Sequence, residues 1–139
     1  FNRLNDLPEA LVQGKERAFL SFIFETKSVQ GWKIDHAMLD QYVREYQVPG
    51  TLRAGFDLYR SNFSEAGLAQ ARARVDKRLS MPVLTVGGAG GIRDLLQKTM
   101  QPLANDVQGA VIAGCGHFLP DECPDEFVRA ISAFWSSRP

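Results

Sequence analysis

Apolar residues recur at helical spacing through the first half of the chain and gather into short unbroken runs in the second. Leu11, Phe19, Phe22 and Ile23 follow a helical stripe behind Asp6, Pro8 and Glu9, a capping-box pattern with proline in the first turn. One helix is therefore expected over about residues 7 to 25. Asp35 is the expected cap of a second helix, with Leu39, Tyr42, Val43 and Tyr46 on one face and Val48-Pro49-Gly50 ending it. Thr51 is the expected cap of a third, carrying Leu52, Phe56 and Tyr59. A fourth is expected from about Ser64 to Val75, with arginines on its outer face.

The pattern changes at Ser80-Met81-Pro82. Val83-Leu84-Thr85-Val86 reads as a short strand, broken by Gly87-Gly88-Ala89-Gly90-Gly91. A helix is expected from about 92 to 102, and a second strand over Ala110-Val111-Ile112-Ala113. Pro124 opens a last helix with Phe127, Ile131, Phe134 and Trp135 expected to face inward. Strand, helix, strand, helix is the unit of a parallel α/β sheet. Two parallel strands alone do not bury both faces of a sheet. The expected organisation is thus a helical insertion over residues 1–80, followed over 81–139 by the last two strands of a larger sheet. The other strands would come from an upstream segment or a partner chain. The opening Phe1-Asn2-Arg3, with no initiator methionine, reads as a cut start.

The 139 residues are enough for one domain with a real core, and the 45% apolar and 23% charged content is ordinary for a globular protein. Formal net charge is zero, which argues against nucleic acid or an anionic membrane surface as a partner. No apolar run approaches the ~20 residues that span a bilayer.

The chemistry concentrates at Gly114-Cys115-Gly116-His117-Phe118-Leu119-Pro120-Asp121-Glu122-Cys123. A glycine-flanked histidine just after a strand sits on a tight exposed turn, where its ring can reach a cleft as a general base does. Cys115 and Cys123 can bridge if their α-carbons come within ~7 Å, or they are two unrelated small apolar residues. Their spacing with His117 is not that of a zinc finger or ribbon, and no metal or other cofactor is called for. Gly87 to Gly91 lacks the Gly-Lys-Ser/Thr of a phosphate loop. His36 opens a helix and reads as solvated, and Tyr42 and Tyr46 read as helix packing.

Several segments together resemble the C-terminal half of an α/β-hydrolase. They are Gly14-Lys15-Glu16-Arg17, Phe56-Asp57-Leu58-Tyr59-Arg60, Arg78-Leu79-Ser80-Met81-Pro82, the glycine run 87–91 and the block 114–123. The likeness is to the epoxide hydrolases, and among them to the secreted bacterial Cif-like subfamily. It runs along nearly the whole chain, and the block with His117 and both cysteines is its most specific part.

The resemblance implies an α/β-hydrolase fold, with a helical lid and the last two parallel strands and helices of the core sheet. It implies that His117 activates water against a covalent ester. Tyr59 would donate a hydrogen bond to the epoxide oxygen as it becomes an alkoxide. Cys115 and Cys123 would form a disulfide pinning the histidine loop, in an oxidising, secreted or periplasmic setting, the alternative being a cytoplasmic one. Phe118 and Phe56 are candidates for the wall of an apolar substrate pocket, although core packing explains the lid phenylalanines equally well. The implied partners are a small apolar epoxide-type substrate and a complementary N-terminal hydrolase half, with a homodimer left open. The departures are equally plain. No Gly-x-Asp-x-Gly-like elbow and no His-Gly-x-Pro oxyanion segment occurs here. The acid partner of His117 is either Asp94 or, the favoured reading, a residue further upstream. Haloalkane or haloacid dehalogenation and ester hydrolysis are alternatives on the same scaffold, and a binding module is the non-enzymatic one.

Overall fold

The helix expected near the N-terminus is in fact two helices. In the computed structural model, which describes residues 1–137, α1 covers Leu7–Val12 and α2 covers Glu16–Lys27. Gly14, at φ +77°, breaks the run between them, and the Glu16 carboxylate accepts its N–H at 2.7 Å. Glycine adopts this left-handed conformation without a Cβ penalty. Glu16 is only 4% exposed, and the backbone N–H groups of Glu16 and Gly14 hold its carboxyl below the usual carboxylate range.

The capping box at Asp6 does not form. Asp6 sits at φ 61° with no side-chain cap bond, and its carboxylate pairs with Arg53 instead. Glu9 turns to Arg60, whose Nη2 donates to Oε2 at 2.8 Å. Charge-assisted bonds to arginine win over the local cap here.

Three more helices follow: α3 (His36–Gln47), α4 (Thr51–Asn62) and α5 (Glu65–Ala73). They belong to the first of two units, Phe1–Phe24 with Ile34–Ala73. Asp35 caps α3 as expected, its Oδ1 accepting from Ala37 N at 2.9 Å and Met38 N at 3.1 Å. The cap of α4 is Gly50 at φ 91°, and Thr51 is the first helical residue rather than the cap. Val12, Leu20, Phe24, Leu39, Val43 and Phe56 are the buried apolar residues of this unit. Burial of each such side chain stabilises by roughly 1.5–3 kcal/mol, which is what holds helices this short. α5 buries none of its residues.

The second unit takes Glu25–Lys33 and the chain from Arg74 on. It is discontinuous in sequence. Strands β1 (Val83–Gly88) and β2 (Val107–Ile112) pair in parallel, from Val83↔Val107 to Gly88↔Ile112, with α6 (Leu95–Met100) between them in the chain. Both strands are longer than expected. β1 continues through Gly87 and Gly88 because the missing side chains let another backbone segment lie against it. A Cβ on Gly88 would stand 2.1 Å from the Gly116 carbonyl oxygen. β2 begins at Val107, where the mixed Val107-Gln108-Gly109 stretch carries no clear strand signal.

A one-turn helix α7 (Leu119–Glu122) and the terminal helix α8 (Pro124–Ser136) follow β2. Ile112, Cys115 and Leu119 form a small buried cluster, with Val86, Cys123 and Phe127 packed against it. The face of α8 expected to point inward is largely uncovered. Phe127, Ile131, Phe134 and Trp135 line an open apolar groove of about 340 Å³ with Leu84 and Val86, and Trp135 is 76% exposed. Among the described residues, β1 pairs only with β2, and two strands do not cover that helix face. Among the same residues, no helix is long and apolar enough to cross a membrane.

Candidate active-site loop

β2 ends at Ile112, and Gly114 at φ +74° turns the chain back toward α7. On that turn His117 is exposed, while Cys115 beneath it is fully buried. The loop is tied at several points. Cys115 and Cys123 form a disulfide with α-carbons 6.1 Å apart. Ala89 N donates to Ile112 O, and Gly90 N to Cys115 O, each at 2.8 Å, so the glycine run after β1 lies along the loop backbone. That close approach, not phosphate binding, accounts for the glycines there.

Each amide around the histidine is satisfied. His117 N donates to Lys27 O at 3.0 Å. Gly116 N donates to Glu122 Oε2, and Phe118 N to Glu122 Oε1, both at 2.7 Å. Glu122 Oε2 also accepts the N–H of Val29 at 2.7 Å. The imidazole itself makes no hydrogen bond among the described residues, and its ring stands edge-on to Phe118 with centroids 5.1 Å apart. The result is a fixed backbone presenting a free imidazole, which can take a proton from a water or ligand.

The other sequence candidates separate. Asp94 is ion-paired with Lys98 at 2.8 Å and not hydrogen-bonded to His117. The Lys98 hydrogen bond holds its carboxyl below the usual range. Phe56, read as a pocket wall, is buried in the first unit at 5% exposure. Its ring meets those of Phe1 and Phe19 at 6.1 Å each, so it is spent on core packing. Phe118 is half-buried beside His117. His36 is exposed at the start of α3, as its solvated reading anticipates.

Tyr59 lies on α4 in the first unit, 45% exposed, and its hydroxyl has no hydrogen-bond partner among the described residues. Its neighbour Arg60 is held by several partners. Arg60 Nη1 pairs with Asp57 at 2.7 Å and Nη2 donates to Leu4 O at 2.7 Å, besides the Glu9 contact. This anchoring fixes the turn of α4 from which Tyr59 projects. Burial pushes the Tyr46 hydroxyl pKa up, and the nearby Tyr59 adds to that rise.

Sequence reasoning did not find Glu122 as the tie of the loop. The only available signal was a glutamate a few residues past the histidine, within the Leu119-Pro120-Asp121-Glu122 run. Its partner at Val29 lies too far away in the chain for any spacing rule to find. Among the described residues, no group of three or more His, Cys, Asp or Glu could hold a metal ion.

Comparison with known proteins places this architecture. No protein-family model matches the chain. A soluble epoxide hydrolase from a Corynebacterium species is 29% identical over 96 residues, 69% of this chain and 32% of that protein. The structure of Cfl2 from Burkholderia cenocepacia is 34% identical, with a TM-score of 0.85 over 96% of this chain and 45% of that one. The Cif epoxide hydrolase from Acinetobacter nosocomialis superposes with a TM-score of 0.86 at 22% identity, over 96% of this chain and 42% of that one, a likeness of fold alone. The chain therefore has the α/β-hydrolase fold, as a helical lid with two parallel strands and helices of the core. Its structural neighbours are Cif-like and other epoxide hydrolases, and it spans a third to just under half of their length.

Proposed function

We propose that the chain contributes to an epoxide hydrolase, with His117 as the water-activating base and Tyr59 as a hydrogen-bond donor to the oxirane oxygen. The observation that carries this is the free imidazole of His117 on a loop whose flanking amides are all bonded, at the end of a parallel strand of an α/β-hydrolase core. The nucleophile is an aspartate outside these residues. Its carboxylate attacks an epoxide carbon, the C–O bond breaks, and the oxygen takes a proton from the donor. His117 then removes a proton from water as the water attacks the ester carbonyl. The ester C–O bond breaks, the leaving oxygen takes the proton from His117, the diol departs, and the proton of the new carboxyl group returns to the donor, restoring both the carboxylate and the hydroxyl. The acid partner of His117 is read as lying upstream of these residues, and the pairing of Asp94 with Lys98 at 2.8 Å supports that reading over Asp94.

The open edge of β1 and the uncovered groove of α8 support a complementary core half, whose strands would extend the sheet. The disulfide supports a secreted or periplasmic setting.

The test is His117→Gln in the catalytically complete protein, followed by mass spectrometry after mixing with an epoxide. The expected result is an ester adduct that persists and turnover reduced by about 10²–10⁴-fold. Unchanged turnover overturns the assignment.

A further inference from the structure

We propose that Glu122 is a positioning residue for His117, acting through the loop backbone and through Val29; this rests on the reading of His117 as the water-activating base. Both carboxylate oxygens are committed. Oε2 accepts from Gly116 and Val29, and Oε1 from Phe118, all at 2.7 Å. One ionised side chain therefore holds the amides on both sides of His117 and binds them to the segment whose Lys27 carbonyl holds the amide of His117 itself. Bonds from N–H to carboxylate are about twice as strong as those between neutral groups.

The local structure needs this tie. α7 is a single turn, and its N-cap, Phe118, has no side chain to cap it. Glu122 closes the turn from its far end. Gly116 is packed so closely that a Cβ there would stand 2.5 Å from Val29 N and 2.8 Å from Glu122 Oε2. Glu122 bonds the backbone amides beside His117 and makes no hydrogen bond to its imidazole, so it acts as a positioning residue and not as the acid partner. A glutamine would keep one oxygen and place an NH₂ against at least one of the N–H donors. The loop must then shift, and a misplacement of about 1 Å can cost roughly 100-fold in rate.

The experiment compares Glu122→Gln and Glu122→Asp with His117→Gln in the catalytically complete protein, using styrene oxide. Rapid-quench mass spectrometry follows ester formation and ester hydrolysis separately. Amide hydrogen exchange follows Val29, Gly116 and Phe118. In Glu122→Gln, ester formation should proceed at the wild-type rate and ester hydrolysis should slow about 100-fold, with faster exchange at the three amides. Glu122→Asp, which keeps the charge, should recover part of both, and it decides the matter if Glu122→Gln does not fold. Wild-type ester hydrolysis alongside faster exchange would reduce Glu122 to a purely structural tie and overturn the proposal. Unchanged exchange would overturn it too. Wild-type hydrolysis in His117→Gln would instead overturn the reading of His117 as the base, and this proposal with it.

Discussion

The Glu122 carboxylate accepts the backbone N–H of Val29 at 2.7 Å, although the two residues stand 93 positions apart. Between them lies Gly116, with no room for a methyl group. Gly116→Ala should therefore overpack the loop and destabilise the protein by about 1–3 kcal/mol. Thermal unfolding by circular dichroism should show a drop of several degrees. An unchanged midpoint would mean that Val29 and Glu122 can give way.

The disulfide makes a separate contribution. It joins Cys115 and Cys123, eight residues apart, across the same loop. Chain-entropy reasoning for a loop of this size gives about 2.5 kcal/mol of stabilisation. The double variant Cys115→Ala with Cys123→Ala should lower the urea midpoint accordingly. Because Glu122 still holds amides 116 and 118, hydrogen exchange at those positions should remain slow in that variant. Fast exchange there would make the disulfide, not the carboxylate, the main restraint.

What could be read beforehand was whatever depends on local pattern. The helices of the first half follow from apolar periodicity, the parallel pair from two short apolar runs, and the turn bearing His117 from its flanking glycines. What could not be read depends on distant partners. Asp6 and Glu9 form a capping box on paper, yet Arg53 and Arg60 take both carboxylates. Nothing in the sequence marks Glu16 as buried, yet it is, and its carboxylate closes the turn at Gly14. Glu122 binds a backbone amide in a segment that periodicity assigns to the helical half. A tyrosine on a helix gives no sign in sequence of how buried it is, so the exposed Tyr59 and the half-buried Tyr46 look alike there.

Acid should weaken the first unit through Glu9. The Arg60 hydrogen bond is the main reason its carboxyl lies below the ordinary 4.5. A carboxyl depressed in the folded state stabilises fully above its unfolded value and loses that stabilisation as pH falls through the folded one. Melting temperature should therefore decline below about pH 4.5. Arg60→Met keeps an aliphatic side chain but removes the guanidinium that pairs with Glu9 and stands 6.0 Å over the Phe56 ring, so its decline over that range should be shallower. Parallel pH curves for the two proteins would show that the Glu9–Arg60 pair carries no acid sensitivity.

Tyr59→Phe separates a functional hydroxyl from a packing one. Tyr59 is 45% exposed and its hydroxyl has no partner among the described residues, so its removal should change stability by less than about 0.5 kcal/mol. If that hydroxyl donates to the oxirane oxygen as charge develops, the same change should lower kcat/KM for an epoxide by about 10²–10³-fold. Tyr46→Phe is the control, because Tyr46 is the more buried of the two. A Tyr59→Phe protein that melts early but keeps its rate would return Tyr59 to the lid core and pass the donor role to another residue.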